Sequence, residues 1–231
     1  MSTRARRPAR RGDGAGPSSW KDRPVQRWTL LVPVKPLDRA KTRLEPPAGA
    51  DRSELALAFA LDTVEAARSC PAVARVVVVT PDERVRAALA GLDVSVAASA
   101  PEGLNPALRA AADGLRGDGA GGPLAAVTAD LPALVPDQLD RVLQAASRVP
   151  LSFLADADGI GTTVYCARDR QRFAPAYGPG SRARHLHAGA VELGLADVAS
   201  VRRDVDTVAD LASARALGLG PCTSALLTRA A

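Results

Sequence analysis

Lysine, cysteine and histidine are all scarce in this 231-residue chain, and each shortage excludes something. The three cysteines, Cys70, Cys166 and Cys222, stand far apart and form neither a C-x-x-C pair nor an even set. That argues against a zinc site or a disulfide framework and for a reducing cytoplasm. The only histidines, His185 and His187, make H-x-H within a helix pattern, a spacing that turns the two rings to different sides. They read as surface or packing residues, and no Ser-His-Asp or Cys-His constellation accompanies them. No apolar run approaches the roughly 18–20 residues needed to cross a bilayer. The Arg-rich start lacks the apolar core and small-residue cleavage site of a secretory signal. No internal repeat is present, and the run G-D-G-A-G-G over 117–122 neither follows a strand nor ends as a phosphate loop does, so it reads as a flexible turn.

The formal charge of +5 belongs to one end of the chain. Residues 1–27 hold eight basic and two acidic side chains, which leaves the other 204 residues at a net −1. The leader over 1–26 is also rich in Gly, Pro and Ser, with almost no large apolar residue before Trp20, and reads as disordered. A basic leader on a slightly acidic body is not a nucleic-acid-binding face, although electrostatic contact with RNA is the alternative reading. A single folded domain over 27–220 with a C-terminal tail over 221–231 fits the length.

Against that scarcity, two of the three lysines fall within seven residues, Lys35 and Lys41, in the run L-V-P-V-K-P-L-D-R-A-K-T-R-L from Leu31 to Leu44, with Arg43 beside them. Elsewhere positive charge is supplied almost entirely by arginine. Lysine is a compact, rotatable point charge, whereas arginine is a planar fork. The pair follows an apolar strand-like run, Trp28–Val34, and so sits where a strand gives way to a loop, the edge at which open α/β sheets bind ligands. This points to an anion site, phosphate in particular; the alternative is a solvated basic loop.

Short apolar runs at Trp28–Val34, Val73–Thr80, Leu92–Ala97, Leu124–Thr128, Leu151–Ala155 and Thr162–Ala167 predict strands. Between them, helical spacing predicts helices over about 51–68, 82–90, 104–115 and 136–147, with others from Ser181 through Leu193 and over Val208–Leu217. Asp51 with Glu54 and Thr207 with Asp210 resemble capping pairs. The alternation implies a three-layer α/β fold with right-handed crossovers.

Four stretches carry acids or small residues suited to chemistry. From Leu124 to Pro132 the chain reads L-A-A-V-T-A-D-L-P, which puts Asp130 at the carboxyl edge of the sheet, where a carboxylate suits magnesium or, alternatively, caps a turn. From Arg203 to Leu211, R-D-V-D-T-V-A-D-L offers Asp204 and Asp206 two apart at a strand end, on one face and so able to share a cation with Asp130; Asp206 could instead be a helix cap. From Asp156 to Thr163, D-A-D-G-I-G-T-T reads as a ligand-approaching loop or a Gly-rich hairpin. From Tyr177 to Ser181, Y-G-P-G-S reads as an anion cradle or a simple N-cap.

Taken together, V-P-V-K-P-L-x-x-A-K-T-R-L, T-A-D-L-P, D-A-D-G-x-G-T-T, F-x-x-x-Y-G-P-G-S and D-V-D-T, in that order over about 28–218, resemble the phosphoenolpyruvate and 2-phospho-L-lactate guanylyltransferases of deazaflavin coenzyme (F-420) biosynthesis, relatives of the molybdenum-cofactor guanylyltransferases. The resemblance implies a nucleotidyltransferase domain over 27–220 with a glycosyltransferase-A-like, mixed and mostly parallel sheet. By matching motif it implies that Thr163, Gly178 and Ser181 contact the phosphorylated three-carbon acid. Asp130 and Asp204, with Asp206 as a further candidate, would hold Mg2+; Lys35 and Lys41, with Arg43 nearby, would face the GTP phosphates. Gly103 and Asn105 would contact the nucleotide. The substrates implied are GTP and phosphoenolpyruvate, with the downstream transferase that accepts the product as a further partner. Alternatives are 2-phospho-L-lactate as acceptor, or a sugar transferase of the same fold using Asp156 and Asp158 as its metal pair.

Overall fold

The computed structural model describes residues 27–47, 49–97, 101–115 and 122–230. The basic leader and most of the Gly-rich turn lie outside them. The strands are β1 (Trp28–Pro33), β2 (Val73–Val79), β3 (Ser95–Ala97), β4 (Leu124–Val127), β5 (Leu151–Ala155), β6 (Thr162–Ala167) and β7 (Val191–Glu192). The helices are α1 (Arg52–Arg68), α2 (Glu83–Ala88), α3 (Leu104–Gly114), α4 (Pro136–Ala146), α5 (Ser181–His187), α6 (Ala199–Arg202), α7 (Val208–Leu217) and α8 (Pro221–Arg229). None of the described helices is long and apolar enough to cross a membrane.

One seven-stranded sheet runs in the order β3-β2-β1-β4-β6-β5-β7. Every pairing is parallel except the two made by β6, which is antiparallel to both β4 and β5. β1, W-T-L-L-V-P, is buried at every position, as a central strand covered on both faces must be. On one face α1, α4 and α6 supply Ala60, Val64, Leu139, Val142, Leu143 and Val201 to a core with Leu30, Val32, Val76 and Val78. On the other, Leu108 and Ala112 of α3 pack with Leu31, Val77, Ala126, Phe153 and Tyr165. This is the expected three-layer α/β arrangement, with a mixed, mostly parallel sheet.

Both predicted capping pairs close as capping boxes, Asp51 with Glu54 at α1 and Thr207 with Asp210 at α7. Four differences stand out. The strand expected from Leu92 is shortened to Ser95–Ala97, because the chain is still in the turn that ends α2, where Leu92 N–H donates to Leu89 O. The helix expected through Leu193 stops at His187, where Gly189 takes φ +79 and the chain returns as the two-residue edge strand β7. The stretch 203–206 is irregular rather than a strand end. Residues 221–229, expected as a tail, form α8.

That helix packs on α1 through a third core of Leu55, Phe59, Leu226 and Leu227. Pro221 opens it, where a missing N–H costs nothing. The next two amides, Cys222 N and Thr223 N, both donate to the buried Asp62 carboxylate on α1, each at 2.9 Å. Gly220 runs against that carboxylate so closely that a Cβ there would collide with it. Asp62→Ala is therefore expected to cost about 2 kcal/mol, a fall of roughly 4–8 °C in the thermal midpoint, and Gly220→Ala a loss of the same sign. Unchanged melting of both variants would mean that α8 is not held by this carboxylate.

Candidate active site

Because β6 alone is reversed, its first residues, not its last, lie at the edge where β1 and β4 end. That edge is also the switch point of the sheet, since β2 and β4 flank β1 on opposite sides, and such a point opens a crevice. The turn after β1, Asp130 after β4 and the hairpin leading into β6 therefore converge.

The convergence is held by charge. Lys41 Nζ donates to Asp130 Oδ2 at 2.5 Å and to Asp206 Oδ1 at 3.0 Å, and Arg43 also pairs with Asp206. Lys41 is the one described non-glycine residue with positive φ, at +54°. That backbone costs roughly 1–2 kcal/mol for an L-residue, and the turn is closed by Leu44 N–H donating to Lys41 O at 2.9 Å. Strain of this kind persists where surroundings over-determine it, as two carboxylates on one ammonium do here. Burial works against the Lys41 charge, yet Asp130 and Asp206 outweigh it and hold its pKa above the ordinary value.

Val205 N–H donates to Asp130 O at 3.0 Å, which sets Asp204 and Asp206 on either side of that link. Asp206 is half-buried; burial pushes its pKa up, but Lys41, Arg43 and Lys35 overcome this and leave it depressed. Asp204 is the opposite case. Burial, then repulsion from Asp130, Asp156 and Asp206, push it to about 7, with only partial relief from Lys41. Asp130 Oδ1 is buried without a hydrogen-bond partner. No group of three or more His, Cys, Asp or Glu among the described residues is arranged as a metal cluster. Asp206 is occupied by cations, which leaves Asp130 and Asp204 as the pair with oxygens to offer.

Two cavities share this edge. The larger, of about 470 Å³, is lined by Pro33, Val34, Lys35, Pro81, Gly103 and Leu104, with Arg39 and Glu102 4.0 Å apart among its residues. The smaller, of about 160 Å³, holds Lys41, Thr128, Asp130 and Asp206 and shares Pro33, Val34, Lys35 and Leu104 with the first. The larger has the size of ordinary ligand pockets; the smaller holds the Lys41–Asp130–Asp206 cluster.

The remaining sequence candidates are placed as follows. Lys35 is exposed at the junction of the cavities. Gly103, with φ +98, starts α3. Asn105 turns its amide away to Tyr177, accepting from Tyr177 N–H at 2.8 Å and donating to Tyr177 O at 2.9 Å. Gly178 and Gly180, at φ +121 and +68, form the turn into Ser181, strapped by Arg184 bonding Ala176 O and Pro179 O. Tyr177 OH donates to Ala126 O at 2.8 Å, anchoring that turn to β4. His185 is buried, stacks on Tyr165 at 4.8 Å, accepts from Ala176 N–H at 2.9 Å and bonds Thr162 Oγ1 at 2.9 Å. Burial, with Arg184 nearby, lowers its pKa to about 4, so it stays neutral and packs. Asp156 accepts from Ile160 and Gly161 N–H at 2.9 and 2.7 Å and closes its own loop; Asp158 is exposed and lies 3.7 Å from Arg203.

Comparison with known proteins gives the family and the fold. Residues 28–224 match the family model described as guanylyl transferase CofC like. The chain is 55% identical over 204 residues to the phosphoenolpyruvate guanylyltransferase of Streptomyces coelicolor, covering 87% of this chain and 96% of that one. It is 52% identical over 203 residues to the protein of the same name from Thermomonospora curvata, covering 87% and 89%. It also shares its fold with a Mycobacterium tuberculosis protein solved as a complex with manganese, at TM-score 0.55 and 22% identity over 82% of this chain and 97% of the other.

The Asp204 carboxyl provides a test of the electrostatics. With a folded value near 7 and an ordinary unfolded one, it binds a proton in the fold and not in the unfolded chain between about pH 4 and pH 7. Stability is therefore lost as pH rises through that window. In chelator-treated protein, Asp204→Asn is expected to melt with wild type near pH 4 and above it near pH 8. Equal melting at both would show that the carboxylates do not crowd one another.

Proposed function

The chain belongs to the guanylyl transferase CofC-like family, and on that footing we propose that it is a phosphoenolpyruvate guanylyltransferase of coenzyme F-420 biosynthesis. It transfers GMP from GTP to phosphoenolpyruvate, giving enolpyruvyl-diphospho-guanosine and pyrophosphate. The observation that carries the site assignment is the union of two cavities across Lys35, beside a buried ammonium that bridges Asp130 and Asp206.

The base and ribose take the larger cavity, against Gly103 and the wall formed by the start of α3, and the phosphates run past Lys35 toward Lys41, with Arg43 at the outer side. Asn105 acts on the nucleotide only through the wall it belongs to, since its amide is engaged by Tyr177. The acceptor's phosphate lies toward Thr163, Gly178 and Ser181. One of its oxygens attacks the α-phosphorus of GTP in line; an O–P bond forms, the α–β bridging bond breaks, and its electron pair leaves on pyrophosphate. A phosphate nucleophile is already anionic near neutral pH, so no general base is needed, which accords with a site whose nearest histidine is locked in packing.

The task is to bring two polyanions together. Like charges 4 Å apart cost about 4 kcal/mol per pair at an effective dielectric near 20. The Lys41 ammonium offsets part of that repulsion and opposes the charge developing on the leaving group; alignment of attacker and leaving group in a fixed cleft supplies much of the rest. Asp130 and Asp204 fit a divalent cation. One has a buried oxygen without a partner and the other a carboxylate that burial and its acidic neighbours make costly to ionise, and magnesium is usually held by one or two carboxylates with substrate phosphates. Magnesium there would neutralise phosphate charge as a Lewis acid. Phosphoenolpyruvate is preferred over 2-phospho-L-lactate because the relatives at 52% and 55% identity carry that name. A sugar transferase using Asp156 is disfavoured, since that carboxylate is spent on its own loop. The reading places the enzyme in the cytoplasm, handing its product to a downstream transferase.

Protein mixed with GTP, magnesium and phosphoenolpyruvate is expected to release pyrophosphate; silence with that acid and with 2-phospho-L-lactate would overturn the assignment. Asp130→Asn should lower turnover at least about a hundredfold, and Lys41→Arg by a comparable factor, because a planar fork does not replace a buried point charge. Wild-type rates in either would remove that residue from the site.

A further inference from the structure

Two buried hydroxyls meet where β4 ends and β6 begins. Val127 of β4 stands opposite Val164 of β6, and one residue further on Thr128 N–H donates to Thr163 O at 3.0 Å. Thr128 thus faces Thr163 across the ladder, with both side chains on the face of Ala126 and Tyr165, which α3 covers. Neither Oγ1 has a hydrogen-bond partner, though both atoms are buried, and Asp130 Oδ1 two residues along is in the same condition. A buried hydroxyl left unpaired is costly. Valine would avoid that cost at the same shape, and valine is what the neighbouring pair carries. Among the described residues, the other unpaired buried side-chain atoms, on Trp28, Ser152, Arg170 and Thr223, belong to other parts of the chain, whereas these three fall where β4 ends and β6 begins. Thr128 lines the 160 Å³ cavity together with Lys35, Lys41, Asp130 and Asp206. It stands between that cavity and Thr163.

We propose that Thr128 is a substrate-binding residue whose hydroxyl donates to the phosphate of the three-carbon acceptor, beside Thr163. It would hold the attacking oxygen toward the nucleotide phosphates on the Lys41 side. The proposal rests on the guanylyltransferase reading and adds a residue to it. The bond exists only when the acceptor is bound, which is why the hydroxyl is unpaired without it.

The test compares Thr128→Val, isosteric and without a donor, with Thr128→Ser, which keeps the hydroxyl. In the valine variant kcat/KM for phosphoenolpyruvate is expected to fall about tenfold to a hundredfold, the loss of one hydrogen bond to a charged group. KM for GTP should stay within about twofold of wild type. The ligand-free melting temperature should equal or exceed wild type, because an unpaired polar atom has gone. Serine should restore most of the kcat/KM. Unchanged kcat/KM in the valine variant would overturn the proposal. So would a loss that tracks a lowered melting temperature and is shared by serine, or a rise in the GTP KM instead of the acceptor's. A wild type silent toward both acceptors defeats the guanylyltransferase reading instead. In that case the melting shift produced by phosphoenolpyruvate itself decides, expected in wild type and absent in Thr128→Val.

Discussion

The cleft depends on one ammonium placed between carboxylates from two distant parts of the chain. Lys41 comes from the turn after the first strand, Asp130 from the end of the fourth, and Asp206 from the irregular stretch before α7. Removing one partner from such a partly buried pair is destabilising, because the other charge is left unanswered. The same contact therefore fixes three loops and holds an ammonium inside the smaller cavity. The left-handed backbone at Lys41 is part of this arrangement. An extended residue there would not carry the side chain inward at the same position of the turn.

The reversed strand is the second constraint. Had β6 run parallel to β4, its entry loop would lie at the far edge of the sheet, and Thr162 and Thr163 would be separated from the lysines. Antiparallel pairing brings Thr163 opposite Thr128, and the turn before α5 is then tied to α3 by the Asn105 amide and to β4 by the Tyr177 hydroxyl. The two halves of the cleft are joined by hydrogen bonds to one helix start.

Much of this was readable beforehand, for local reasons. Asp51 with Glu54 and Thr207 with Asp210 announce helix starts through contacts three residues apart. The apolar runs of β1, β2, β5 and β6 announce strands because tertiary burial and local preference agree. What was missed depends on partners far away. The two residues of β7 are a strand only by pairing with β5. The segment holding α8 is mixed in polarity, and only the face of α1 reveals which residues it buries. The amide of Asn105 is claimed by a backbone 72 residues on, which no local pattern discloses. Thr128 opens the T-A-D-L-P motif two residues before its aspartate; its signal is a hydroxyl ending an otherwise apolar strand, legible once a second threonine is known to face it.

The docking of α8 on α1 also has a consequence in time. The Asp62 carboxylate and the amide it receives are 160 residues apart. At about 5–20 residues per second of synthesis, α1 waits roughly 8–30 s for its cover. Throughout that interval Leu55 and Phe59 lack the leucines that shield them in the finished fold. The face of α1 that carries Leu55 and Phe59 is thus the last part of that helix to be covered as the chain is made.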